Sequence, residues 1–99
     1  MKKKFAHILM SPAYNTEIHK AVFETETKDT YIFTVNSFDE AKELVLKLKE
    51  DGFGVIELCG AFGEERTRAY KESTDGQVGF GYVVNLPEQD GIIKEFFGH

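Results

Sequence analysis

Nine residues, Val55-Ile56-Glu57-Leu58-Cys59-Gly60-Ala61-Phe62-Gly63, constrain this chain more than any other stretch. An apolar run that meets a turn with two glycines predicts a strand that stops abruptly, with a helix starting at Glu64. A strand this apolar belongs inside a sheet rather than at its edge. Glu57 alone interrupts it, and a buried carboxylate needs a partner.

The residues before it supply the connection. Ser37 and Glu40 have the spacing of a capping box, in which each side chain meets the other's free backbone N–H. Phe38, Ala41, Leu44, Val45 and Leu48 then recur at helical spacing, and Gly52 can take the left-handed conformation that ends a helix. Tyr31–Val35 reads as the strand ahead of that helix. Strand, helix and strand at this spacing form a right-handed parallel crossover.

The remaining segments are placed around this unit. Residues 5–10 read as a first strand covered on both faces, closed by Ser11-Pro12. Residues 14–20 suit a helical turn capped by Asn15 or Thr16. Residues 21–26 alternate as a half-exposed strand that pairs with 31–35 as a hairpin; a long loop or a helix from 15 to 25 is the alternative. Residues 64–74 read as a mostly polar helix with Ala69 and Tyr70 inward. A strand over 78–84 contains Gly79 and Gly81, which suggests a close approach by a neighbour. Pro87 opens a last helix, docked by Ile92, Ile93, Phe96 and Phe97. The fold class expected is α/β: a small three-layer domain over residues 1–99, with a mostly parallel sheet of four or five strands and one antiparallel edge hairpin.

Composition narrows the function classes. The net charge of −5 and the single basic run, Lys2-Lys3-Lys4, argue against nucleic acid. The same charge is repelled by an anionic membrane surface, and no run approaches the length of a membrane span. The run 5–10 is too short for a signal-peptide core. One cysteine allows no intrachain disulfide, which fits a cytoplasmic protein.

In an open α/β sheet, ligands bind beyond the carboxyl ends of the strands. Those ends gather Ser11, Asn36, Cys59, Gly60, Phe62, Gly63 and Asn85 as candidate ligand-binding residues. Four residues are candidates for chemistry. Cys59 lies near a helix start, where a thiol can be activated if a base is within reach. Glu57 could pair with His7 as an acid–base couple if their strands are neighbours. His19 is the other internal imidazole. Each has a bland reading as well: a small buried hydrophobe for Cys59, a satisfied structural pair for Glu57 and His7. The 60–63 turn fits an ordinary strand-to-helix turn better than an anion cradle, because Glu64 and Glu65 already complement the helix start. No metal-ligand spacing links His7, His19, Cys59 and His99.

The opening Phe5-Ala6-His7-Ile8, the stretch 17–25 and, above all, Ile56-Glu57-Leu58-Cys59-Gly60-Ala61-Phe62-Gly63 resemble a family of small bacterial proteins known only as a domain of unknown function. The resemblance implies a single-domain α/β protein. It carries no established activity and no assigned catalytic residues, so no catalytic role transfers with it, and the cofactor is unknown. The expectation is a small-molecule-binding or interaction module that assembles as a homo-oligomer, through the hairpin edge or the Phe96-Phe97 helix. The rival is a small enzyme using Cys59, Glu57 or a histidine.

Overall fold

A computed structural model describes residues 2–98. Its elements run β1 (Lys3–Met10), β2 (Ala21–Glu24), β3 (Lys28–Val35), α1 (Phe38–Glu50), β4 (Val55–Leu58), α2 (Gly63–Ser73), β5 (Gly79–Tyr82), a short 3-10 turn (Pro87–Gln89) and α3 (Asp90–Phe97). The five strands lie in the order β2-β3-β1-β4-β5. β3, β1, β4 and β5 are mutually parallel, and β2 pairs antiparallel with β3 at one edge. The mostly parallel sheet with an antiparallel edge pair is the α/β arrangement expected, and β4 has a neighbour on each side.

The Ser37 cap forms as its spacing predicts, but the return bond from Glu40 goes to Asn36 rather than to Ser37. Ser37 Oγ accepts from the Glu40 N–H at 3.1 Å, and Glu40 Oε1 accepts from the Asn36 N–H at 2.7 Å. Gly52 leaves α1 at φ +86°. The helix buries Ala41, Val45 and Leu48. In α2 the inward residues are Thr67 and Tyr70, whereas Ala69 is exposed. Thr67 can be buried because its hydroxyl donates to Gly63 O at 2.7 Å, so the polar atom is satisfied by its own helix.

Both crossovers step toward the same edge, from β3 over β1 to β4 and from β4 to β5. Right-handed crossovers that step the same way put their helices on the same face. The core shows this. Ala6, Ile8, Val35, Ile56 and Leu58 point from the sheet into one cluster with Val45 of α1 and Tyr70 of α2. The opposite face carries Phe5, His7, Leu9, Thr30, Ile32, Thr34, Val55 and Glu57, the alternate residues of the same strands. Neither α1 nor α2 covers it.

The docking expected of α3 does not occur within the chain. No residue of α3 is buried, and Ile92 and Phe96 are 66% and 81% exposed. The molecule is drawn out to 43 × 28 × 24 Å, with a radius of gyration of 14.0 Å, against about 13 Å for a compact chain of this length. β1 is therefore sealed by helices on one face only: Ala6 and Ile8 are fully buried, while Phe5, His7 and Leu9 are half-buried.

Candidate functional site

The parallel register sets His7 of β1 directly beside Glu57 of β4. The two side chains meet on the uncovered face, with His7 Nδ1 3.7 Å from Glu57 Oε1. Both keep contact with solvent, at 28% and 50% side-chain exposure. The strand alternation explains the position of Glu57: Ile56 and Leu58 take the buried face, so Glu57 takes the other. Beyond it, β5 presents Gly81, where an added Cβ would lie 3.8 Å from Glu57 Cγ. Gly79 and Gly81 thus leave β5 without side chains on this face, beside Val55 and the carboxylate. On the other side lie Phe5, Leu9 and Ile32. The pair is an ionisable island on a floor whose nearest side chains are apolar.

One end of this floor is roofed by the 11–20 loop. Asn15 Oδ1 accepts from the Glu17 N–H at 2.9 Å, and the Ile18 and His19 N–H groups donate back to Asn15 O. This is the single capped turn that the sequence suggests. His19 Nδ1 accepts from the Asn15 N–H at 2.9 Å, so the imidazole serves as a turn-holding acceptor. His19 O in turn accepts from the Thr34 hydroxyl at 2.6 Å and buries it. His19 and the His7–Glu57 pair are thus given separate tasks.

The carboxyl ends of the strands have a different character. Ser11 and Cys59 follow β1 and β4, tied by the Ser11 N–H to Val35 O and by the Cys59 N–H to Ile8 O. Cys59 Sγ accepts from the Met10 N–H at 3.4 Å, and the thiol is half-buried against the core. Phe62 is 3% exposed and packs edge-on between Phe38 and Tyr70, so the turn sends its aromatic ring inward. Gly63 adopts φ +74°, which lets α2 begin immediately. Arg68 is held by Glu64 at 2.8 Å and Arg66 lies over the Phe38 ring, so neither guanidinium is committed to the turn as an anion partner. Asn36 gives its N–H to the α1 cap, and Asn85 is exposed in the segment after β5. An open cleft of about 470 Å³ lies between α2 and β5, lined by Glu64, Thr67, Arg68, Lys71 and Phe80 and reaching Gly81 at the sheet edge.

Among the described residues, no group of three His, Cys, Asp or Glu side chains is placed to hold a metal ion. His99 lies outside the described residues. No helix among them is long and apolar enough to cross a membrane.

A family model matches residues 3–98, the whole of this sheet-and-helix unit and α3 with it. The chain belongs to DUF6506, a family of unknown function. No curated protein and no solved structure gives a significant match. The DUF6506 match thus extends over the His7–Glu57 face and the Cys59 turn alike, and assigns neither a role.

The pairing of Glu57 was within reach of sequence reasoning in part. Glu57 signalled a need for a partner and His7 stands beside it, whereas the close approach expected at Gly79 and Gly81 is ordinary van der Waals spacing. What joins them is register, which is set by pairing across the whole sheet.

Proposed function

We infer that the uncovered sheet face is the working surface of a small-molecule-binding module, with His7 and Glu57 as its polar anchor. One observation carries this reading: a half-exposed carboxylate–imidazole pair stands amid Phe5, Leu9, Ile32 and Val55, beside the two glycines of β5. Ligand sites are mostly apolar with a few placed polar groups, and this face has that make-up. Within the described residues the Glu57 carboxylate has only the His7 contact at 3.7 Å, so it has spare acceptor capacity. The matching ligand is an apolar body with a hydrogen-bond-donating head. The net charge of −5 and the single free cysteine support a cytoplasmic protein that does not bind nucleic acid.

Decylamine and decanoate offer the same apolar chain with opposite heads. Titrated against labelled protein by NMR, decylamine is expected to shift resonances of β1, β4 and β5 and to bind the tighter of the two. Glu57→Gln is expected to weaken decylamine by about tenfold, the scale of one charge-assisted hydrogen bond. Shifts confined to the α2–β5 cleft, or an unchanged affinity in Glu57→Gln, would overturn the reading.

The second reading is enzymatic. An imidazole facing a carboxylate is a plausible acid–base couple, and the 3.7 Å separation is within the looser range found before substrate binds. Turnover of any substrate lost in both His7→Gln and Glu57→Gln, with binding retained, would favour it over the first. Cys59 is weaker as a nucleophile, because no histidine is hydrogen-bonded to its sulfur among the described residues.

A further inference from the structure

Two apolar surfaces of this chain lack a cover, and they fit one another. The first is the sheet face opposite α1 and α2. The second is the segment after β5. Of the eleven exposed large hydrophobics among the described residues, six lie in this segment: Val83, Val84, Leu86, Ile92, Phe96 and Phe97. Two more, Phe23 and Val55, lie on the uncovered face. Monomeric proteins rarely expose contiguous apolar patches of this extent, and two on one small chain point to association.

We propose that the protein is a homodimer in which α3 of each copy lies across the uncovered sheet face of the other and roofs its His7–Glu57 pair. A helix on this face supplies the third layer that an α/β sheet of this kind ordinarily has. Helical spacing puts Ile92, Ile93, Phe96 and Phe97 on one side of α3, leaving Asp90, Lys94 and Glu95 on the other. Within the chain α3 packs on the preceding 3-10 turn, and none of its residues is buried.

Area and charge both favour a second copy as the occupant. At their exposures, the six large apolar residues of 83–97 present roughly 600 Å², taking each side chain at about 150 Å², the low end of the range. A twofold exchange makes this contact twice, and each contact covers a comparable area of sheet. The total of about 2,400 Å², an upper bound that assumes full burial, reaches the size of a stable interface. The exchange is also isologous, the commonest way for two identical chains to close. Lys3 and Lys28 edge the uncovered face, and Lys28 sits over the Phe5 ring. The turn ahead of α3 brings Glu88, of opposite sign, while Asp90, Lys94 and Glu95 on the far side of α3 stay in water.

The proposal names the partner of the face assigned above, and it rests on that face being the functional one only for the roofing of the pair. The test uses the full chain. Light scattering after gel filtration is expected to give twice the 11.2 kDa chain mass. Ile92→Glu with Phe96→Glu is expected to halve that mass with the circular dichroism of the body retained, since α3 buries nothing in its own chain. In a mixture of isotope-labelled and unlabelled copies, filtered NOEs are expected between the Phe96 ring of one chain and Ile32 of another. A monomer at every concentration, a dimer that survives the double substitution, or Phe96–Ile32 contacts within one chain alone would each overturn the proposal. Glu57→Gln is expected to leave the dimer intact, so loss of ligand binding and loss of the dimer are separate outcomes.

Discussion

At the scale of single residues, Tyr70 shows how one polar atom is made to fit an apolar interior. Its ring is 5% exposed and packs on Phe62, and its hydroxyl donates to Phe38 O at 3.2 Å, joining α2 to α1. Burial raises its pKa above the usual 10.0, partly offset by Arg66. The neutral phenol is the form the fold favours. Its contribution is therefore complete below pH 10.0 and lost as pH rises through the higher folded-state value. Tyr70→Phe is expected to cost about 1 kcal/mol at neutral pH by denaturant titration, the net value of one hydrogen bond. The same variant should lose less stability than the wild type on the alkaline side. Glu57→Gln sits at the other extreme. Its half-exposed pair is worth under about 1 kcal/mol, so its melting curve is expected to stay near that of the wild type. Residues of these two kinds differ in how far the sequence reveals them. Ser37 and Glu40 could be read as a cap because both partners lie within one turn. The exposed Ala69 and the buried Thr67 could not, since their places depend on how α2 is rotated against a sheet.

At the scale of elements, β4 is the part most firmly committed. Ile56 and Leu58 are fully buried between α1, α2 and two neighbouring strands. Replacing either with alanine is expected to cost about 2–5 kcal/mol in a denaturant titration. Gly63 is the joint between this strand and α2. Its φ of +74° is poorly suited to residues with a Cβ, so Gly63→Ala is expected to cost about 1–2 kcal/mol although open space surrounds the position. α1 was legible almost to the residue because its cap, its stripe and its stop signal agree. β5 is shorter than its sequence suggests, ending at Tyr82 rather than running to Val84. Val83 keeps one bond, to Leu58 O, but β4 has ended there and no ladder remains to extend. The amphipathic pattern of α3 was visible too. Its seat was not, because a stripe of apolar residues says that a helix will be covered without saying by what.

At the scale of the whole molecule, the sequence conveyed the class of fold better than the arrangement of its layers. A capped helix between two apolar strands identifies a crossover. The face on which each crossover falls depends on strand order, and strand order is decided by contacts far apart in the chain. Here the order β2-β3-β1-β4-β5 sends both crossovers one way, so both helices share a face. The other face is left without a helix from its own chain, and the charged pair sits there. This arrangement also explains why the strand ends, the usual place to look, hold mainly cap and core contacts.

The seven residues from Val83 to Gln89 that tie α3 to the body are all exposed. A protease should therefore find its substrate there when the chain is dilute. If paired copies shelter each other's tethers, resistance to cleavage will climb with the amount of protein present. Digestion at a fixed ratio of protease to substrate across a dilution series would show it, as a half-life set by how many copies share the solution.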